Sequence, residues 1–221
     1  MATFSKDNSQ AISQSNAQEQ TNKHLILASK SPRRKELLTQ LGFHFSTSNS
    51  DINEATLANE SPEDYVLRLA VAKAQYAFEQ LSVGEQKDTL VLGSDTSVVA
   101  EGEILGKPDD EADSARMLRL LSDKTHKVYT SVAVVGKGVI QSKLVTTKVN
   151  FKALSNNEIG RYWQSGEPQD KAGSYGIQGI GGQFVKSIEG SYSAVVGLPL
   201  YETAMLLSEC GLPTSLQKKY R

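Results

Sequence analysis

His24 to Gly42, HLILASKSPRRKELLTQLG, sets a short apolar run directly against an amphipathic one, with a Ser-Lys-Ser-Pro step between them. HLILA has the texture of a buried strand, and Leu37, Leu38 and Leu41 share one face at helical spacing. Ser31 stands at the expected N-cap, Pro32 at the first helical position, where its missing N–H costs nothing, and Gly42 follows the end. A strand turned straight into a helix is the opening unit of an α/β fold.

Downstream, strands and helices keep alternating. HFSTSNSD is a weak strand running into a polar loop, and Ser61-Pro62 opens a longer helix to about Leu81, with Val66, Leu69, Ala70, Tyr76 and Ala77 mainly inward. DTLVLGSD is a strong strand ending at Asp95, which Ser97 to Ala100 continues to a turn near Gly102. Pro108 to about Leu121 is predicted helical, with Met117, Leu118 and Leu121 on its apolar side and an acidic start suited to the positive end of the backbone dipole. Val128, Thr130, Val132 and Val134, then Val145, Thr147, Val149 and Phe151 beyond a Gly-Lys-Gly turn, alternate as an antiparallel pair. A helix near Ser155 to Gln164, a glycine-rich stretch from Gly173 to Gly182, a strand pair over about Gln183 to Val196 and a helix from Leu198 to Cys210 follow. With no internal repeat and no long linker, residues 24–213 are expected to form one compact α/β unit.

The 221 residues are 38% hydrophobic and 22% charged, enough apolar material for one sizeable core or two small lobes. That excludes a disordered tail protein, a collagen-like repeat and a disulfide-stapled miniprotein. A net charge of −1 gives no global field to hold nucleic acid or an anionic membrane, so any anion site is local. Cys210, the single cysteine, allows neither an intramolecular disulfide nor an all-thiolate metal cluster, and in ETAMLLSECGL it reads as a small core residue. The run AVVGLPL falls far short of the roughly 18 residues of a membrane span, so the chain reads as soluble. Residues 1–23 hold four Ser, four Gln and three Asn, with neither the apolar core of a secretory signal nor any arginine. They are expected to be a polar, disordered tail, and 214–221 a short C-terminal one.

Chemistry concentrates at four places. Lys30 to Lys35 places four cations in six residues beside a helix N-terminus, where backbone N–H groups favour an anion and the Arg33 and Arg34 forks match phosphate oxygens. Alone, so basic a segment is more often a solvated face; its strand-then-helix setting brings the phosphate reading level. Asp51, Glu54 and Asp95 supply carboxylates of the kind Mg²⁺ prefers, Asp95 at the carboxyl edge of a sheet strand, although Asp51 and Glu54 fit ordinary loop acids equally well. Lys73 in LAVAKAQ either snorkels or meets an anion, and Lys107 follows a turn that approaches a Walker A loop but is one residue short, with Pro108 in place of Ser or Thr. DKAGSYGIQGIGG, residues 170–182, has five glycines with Lys171 and Gln178 among them: a plain turn, or a backbone free to approach a ligand with an amide to read a base edge. His24, His44 and His126 lack metal-ligand spacing, no GxSxG or HExxH occurs, and Trp163 reads as core.

Taken in order, SKSPRR, Asp51 with Glu54, GSDT, GKP and DKAGSYGIQG resemble the Maf family of nucleoside triphosphate pyrophosphatases from about Leu25 to Leu207. The resemblance implies a bilobed mixed sheet flanked by helices around a central groove, of the inosine triphosphate pyrophosphatase (Maf/Ham1) type. It also implies a cytoplasmic protein, frequently homodimeric, that splits a nucleoside triphosphate into monophosphate and pyrophosphate with a divalent cation, Mg²⁺ or Mn²⁺. Asp95 matches the family's proton acceptor, and Arg33, Thr96 and Gln178 match positions tied to substrate choice. Glu54, Lys73, Lys107, Arg34 and Lys171 match groove residues handling metal or phosphate. In that picture the triphosphate lies against the turn from Ser29 to Arg34, and Glu54 and Asp95 hold the metal. The GIQG form is similar to the subgroup acting on dTTP and UTP, while Lys30 stands where the motif often has a small residue. The family association with septum formation offers an alternative, a nucleotide-sensing regulator of cell division, and the SPRRK patch a weaker one, nucleic-acid binding, against which the balanced charge argues.

Overall fold

A computed structural model describes residues 23–217, so all but the last residue of the expected N-terminal tail, and residues 218–221, lie outside the description. The opening unit is as expected: β1 (His24–Ala28), α1 (Pro32–Gln40) and β2 (Ser46–Ser48), with the Ser31 side chain accepting from the Arg34 N–H. Then come α2 (Pro62–Glu79), β3 (Thr89–Ala100), β4 (Glu103–Leu105), α3 (Glu111–Leu121), β5 (Thr125–Gly136) and β6 (Val139–Phe151). The rest is α4 (Asn156–Gln164), β7 (Val185–Glu189), α5 (Tyr192–Val196) and α6 (Leu200–Glu209). The strands form one mixed seven-stranded sheet in the order β2-β1-β3-β5-β6-β7, with β4 paired to β3 only. β1 runs parallel to β2 and β3, and every other pairing is antiparallel.

β3 organises the molecule. Alternate side chains of a strand face opposite sides of the sheet, and its even-numbered residues change character along their length. Leu90 and Leu92 enter an apolar core with Leu37, Leu38, Leu198 and Leu206, whereas Val98 and Ala100 enter a second with Leu118, Leu121, Phe151 and Phe184. Between the two cores the same face carries Ser94 and Thr96. One edge of β3 shows the same division: β1 pairs with Thr89 to Leu92 and β4 with Val98 to Ala100, so neither strand covers Gly93 to Ser97. A two-lobed arrangement follows, with a gap in the sheet at its centre.

On the odd-numbered face α2 packs against β3, with Ala74 and Ala77 meeting Val91 and with Val66 beside Val99. Gly93 makes this close approach possible, since a Cβ there would stand 2.2 Å from the Ala70 carbonyl oxygen and 2.9 Å from the Ala74 nitrogen. The helix turn held that close is the one that carries Lys73.

Several sequence expectations need correction. β3 continues to Ala100 as expected, so Asp95 lies mid-strand, beyond the last residue paired with β1, rather than at the carboxyl edge of the strand. The expected strand pair over 183–196 is one strand, β7, and then α5: the chain turns at Gly190 (φ 129°), and Ser191 caps the helix by accepting from the Ala194 N–H at 3.2 Å. α3 starts at Glu111 rather than Pro108, because Asp110 is the cap and accepts from the Asp113 N–H at 2.8 Å. α6 likewise starts at Leu200, after Pro199. Trp163 is only half-buried; its neighbour Tyr162 takes the core position, edge-on to Phe184. On α2, Tyr76 is half-buried and Lys73 is buried in its stead. Cys210 is buried in the first core, as expected.

Candidate active site

A cavity of about 1050 Å³ opens at the gap in the sheet. Ser29, Arg33, Arg34, Glu54, Lys73, Asp95, Thr96, Lys107, Lys171 and Gln178 all line it, and Lys30 and Asp51 with them, whereas Lys35, the last cation of the basic cluster, does not. Those that line it come from six separate segments: the β1–α1 turn with the first turn of α1, the loop after β2, α2, β3, the loop after β4 and the glycine-rich run.

At its floor Lys73 Nζ meets Asp95 Oδ1 at 2.7 Å and Glu54 Oε1 at 2.7 Å. Lys73 and Asp95 are both buried, while the Glu54 side chain is 54% exposed. Burial pushes the Asp95 carboxyl above its ordinary pKa; the Lys73 charge and hydrogen bond and the Arg34 charge pull against that, and Glu54 adds to it. The loop bearing Glu54 is fixed to α2, with the Tyr65 hydroxyl donating to the Glu54 carbonyl at 3.0 Å and Arg68 Nη2 donating to the Ala55 carbonyl at 3.0 Å. Arg68 is in turn held by Glu60 through a two-pronged contact at 2.5 and 2.7 Å.

Arg34 is anchored on three sides. Its Nε donates to the Gly197 carbonyl at 2.9 Å, and Nη1 and Nη2 reach the hydroxyls of Ser29 and Thr96, each at 3.4 Å. Desolvation lowers its pKa, but a guanidinium in a protein stays charged. The Thr130 hydroxyl lies 2.7 Å from the Ala194 carbonyl and 3.1 Å from the Thr96 hydroxyl. Since it has one proton and the carbonyl can only accept, Thr96 donates to Thr130 and offers its lone pairs to Arg34. Arg33 is held more loosely, 4.0 Å from Asp170, and Lys30 pairs with Asp51 across the rim at 3.5 Å. Lys107 is exposed, without an ion-pair or hydrogen-bond partner among the described residues.

The opposite wall is the glycine-rich run, folded as consecutive single turns rather than a strand or an α-helix. Position 173 requires glycine on two counts, a left-handed backbone (φ 66°) and a Cβ that would collide with Val98 at 2.7 Å. Lys171 donates to Asp170 and to the Glu167 carbonyl at 3.4 Å. Gln178 is exposed on the cavity wall and makes no side-chain hydrogen bond among the described residues. Sequence reasoning missed Glu167, which accepts from the Tyr162 hydroxyl and the N–H groups of Ile180 and Gly181. Burial opposes its charge, yet those three donors and Lys171 hold its pKa below the usual range. The sequence carries no signal for it: Glu167 has the local context of a surface acid. The Gly197 carbonyl was equally invisible, being backbone.

The donor set suits a divalent cation. Glu54 and Asp95 turn hard oxygens onto one common cationic atom, and Mg²⁺ commonly takes one or two carboxylates and completes its shell with water and substrate phosphates. Among the described residues no cluster of three or more His, Cys, Asp or Glu stands ready to hold a metal alone, so substrate oxygens would complete the shell. Six cations and five carboxylates line the cavity, a surplus of one positive charge against the roughly four negative charges of a nucleoside triphosphate.

Comparison with known proteins places the chain in a family. The family model described as Maf-like protein matches residues 24–210. A dTTP/UTP pyrophosphatase of Colwellia psychrerythraea is 57% identical over 90% of this chain and 94% of its own. Those of Vibrio vulnificus and Pseudoalteromonas translucida are 56% and 58% identical, over 84% and 83% of this chain and 97% and 95% of theirs. Among solved structures, the Staphylococcus aureus Ham1 protein shows a partial likeness, with a TM-score of 0.40 and 16% identity over 58% of this chain and 71% of that one. With its motifs gathered round one cavity and the matching model spanning all but the ends, the chain belongs to the Maf family.

Proposed function

We propose that the protein hydrolyses dTTP and UTP to the nucleoside monophosphate and pyrophosphate, with a divalent cation, as a cytoplasmic homodimer that sanitises the nucleotide pool. One observation carries this reading: ten residues scattered from Ser29 to Gln178 line a single cavity with a buried carboxylate at its floor. The relatives' names support the substrate class. Among the described residues no helix is long and apolar enough to cross a membrane.

Each residue has a part that follows from its setting. Arg34, pinned by Gly197, Ser29 and Thr96, is a fixed cation at the floor; Arg33 and Lys107, loosely held or free, are the ones able to move onto a phosphate chain. Lys171, paired with Asp170, adds charge on the far wall. Lys73 keeps Asp95 aimed and partly offsets the cost of its burial. Asp95 uses Oδ1 for Lys73, and Oδ2, with no side-chain partner among the described residues, accepts the proton of the attacking water. The water oxygen bonds to the α phosphorus as the bond from that phosphorus to the α–β bridging oxygen breaks, leaving the monophosphate and releasing pyrophosphate. A cation held by Glu54 and Asp95 would supply neutralisation of the phosphate oxygens. Gln178 presents both a donor and an acceptor to the pyrimidine edge.

The test is a panel of dTTP, UTP, dCTP and purine triphosphates with Mg²⁺ or Mn²⁺, scored for pyrophosphate against orthophosphate. Pyrophosphate from dTTP and UTP in clear preference to the purines is the expected result. Nucleotide binding without turnover would overturn the enzymatic reading in favour of a nucleotide sensor.

A further inference from the structure

Glu167 borders the cavity beside the glycine-rich wall, in the short turn Glu167–Asp170 that follows α4. Its Oε1 accepts from the Tyr162 hydroxyl at 2.7 Å and from the Gly181 N–H at 2.9 Å, and its Oε2 accepts from the Ile180 N–H at 2.7 Å. The Tyr162 oxygen accepts in turn from the Gly176 N–H at 3.1 Å. These bonds bracket Gln178 on both sides, two residues before it and two after. The loop also passes so close that a Cβ on Gly179 would stand 2.1 Å from Oε2. Ile177 anchors the segment from the core side, and bonds from the Gly179 N–H to the Gly176 carbonyl (3.3 Å) and from the Gly182 N–H to the Gly179 carbonyl (3.1 Å) close its turns. Gln178, Gly179 and Ile180 are nevertheless exposed, and Glu167 is the charged side chain that these turns close around. The Gln178 side chain, with no hydrogen bond of its own, points where its backbone points it. A backbone closed around an ionised carboxylate is set by charge-assisted hydrogen bonds, which are strong and directional.

We propose that Glu167 is a positioning residue for base selection: its carboxylate is the template on which the loop closes, and it fixes the direction from which the Gln178 amide meets the base. This rests on the reading of Gln178 as the group that contacts the pyrimidine. Glu167 acts through Gln178 and touches no reacting atom, so its signature is a change in selectivity rather than a uniform loss of rate.

The experiment is a double-mutant cycle in the full-length protein. The ratio of kcat/KM for dTTP over GTP is measured for wild type, Glu167→Gln, Gln178→Ala and the double variant. Glu167→Gln keeps the shape but replaces one accepting oxygen with an amide nitrogen, which cannot accept from a backbone N–H. It is expected to lower the ratio about tenfold, mostly through dTTP, and to have little further effect once Gln178 is alanine. An equal loss for both nucleotides, or a full effect persisting in the Gln178→Ala background, overturns the proposal. Amide hydrogen exchange supplies an arm independent of turnover. Gly176, Ile180 and Gly181 should exchange faster in Glu167→Gln, and Gly176 faster in Tyr162→Phe; unchanged exchange in correctly folded variants refutes the template. If wild type does not turn over dTTP, the functional reading and the selectivity role fall together, while the exchange data still decide whether Glu167 holds the loop.

Discussion

Replacing Lys73 by methionine keeps most of the side-chain volume on the buried face of α2 and removes the ammonium. Its two partners then part company. Glu54, with its side chain 54% exposed, turns to water and loses little, as exposed ion pairs contribute only ~0–1 kcal/mol. Asp95 has no such recourse: its side chain is 10% exposed, and Lys73 is its one side-chain hydrogen-bond partner among the described residues. Removing one partner of a buried pair costs about 3–5 kcal/mol. With a urea slope of about 2 kcal/mol per M, the unfolding midpoint should fall by roughly 2 M. Asp95→Asn should cost less, about 1–2 kcal/mol, since its amide oxygen still accepts from Lys73 and Lys73 keeps Glu54. The double variant Lys73→Met/Asp95→Asn, which leaves no unpaired carboxylate at position 95 while Arg34 keeps its three neutral hydrogen-bond partners, should be more stable than Lys73→Met alone. Equilibrium urea unfolding of the four proteins decides it: a Lys73→Met midpoint within about 0.3 M of wild type, or no recovery in the double variant, would refute the reasoning.

Asp95 is a base only when ionised, and its pKa is raised, so activity should fall on acidification at a pH above the ordinary carboxylate range. Lys73 holds that pKa down, so in Lys73→Gln the acid limb of the pH–rate profile should move to higher pH; a shift to lower pH contradicts the assigned roles. Gln178→Ala should reduce discrimination between pyrimidine and purine triphosphates by about ten- to hundredfold in kcat/KM, and an equal change for both would remove it from base reading. Gly93→Ala should lower the urea midpoint and turnover together, because its methyl would push α2 and Lys73 away from Asp95; a fully active variant of wild-type stability would show that the close packing does not matter.

Much of this was legible because local chemistry and global fold agree. Ser31-Pro32 and Ser61-Pro62 mark helix starts whose caps are present, and Ser155 with Glu158 forms a capping box. Val66, Ala70, Lys73 and Ala77 fall on one helical face, which set Lys73 among small apolar residues before its partner was known. The misreadings occur where tertiary context prevails. Tyr192 to Val196 has a strand-like composition and is helical, because Gly190 turns the chain and Ser191 caps it. That β3 continues past Asp95 to Ala100 was legible, but that its pairing with β1 stops at Leu92 was not, since a sequence does not show which edge of a strand lies bare. Glu167 and the Gly197 carbonyl were illegible for a related reason: their importance lies in backbone groups brought near by the fold.

The most direct test of the central claim is ³¹P NMR of dTTP and Mg²⁺ incubated with wild type and with Asp95→Asn. Wild type should yield dTMP and pyrophosphate in equal amounts, and the variant, with calorimetry showing that it still binds nucleotide, should be slower by on the order of 10² or more. Formation of dTDP and orthophosphate by wild type, or undiminished turnover by the variant, would contradict the account.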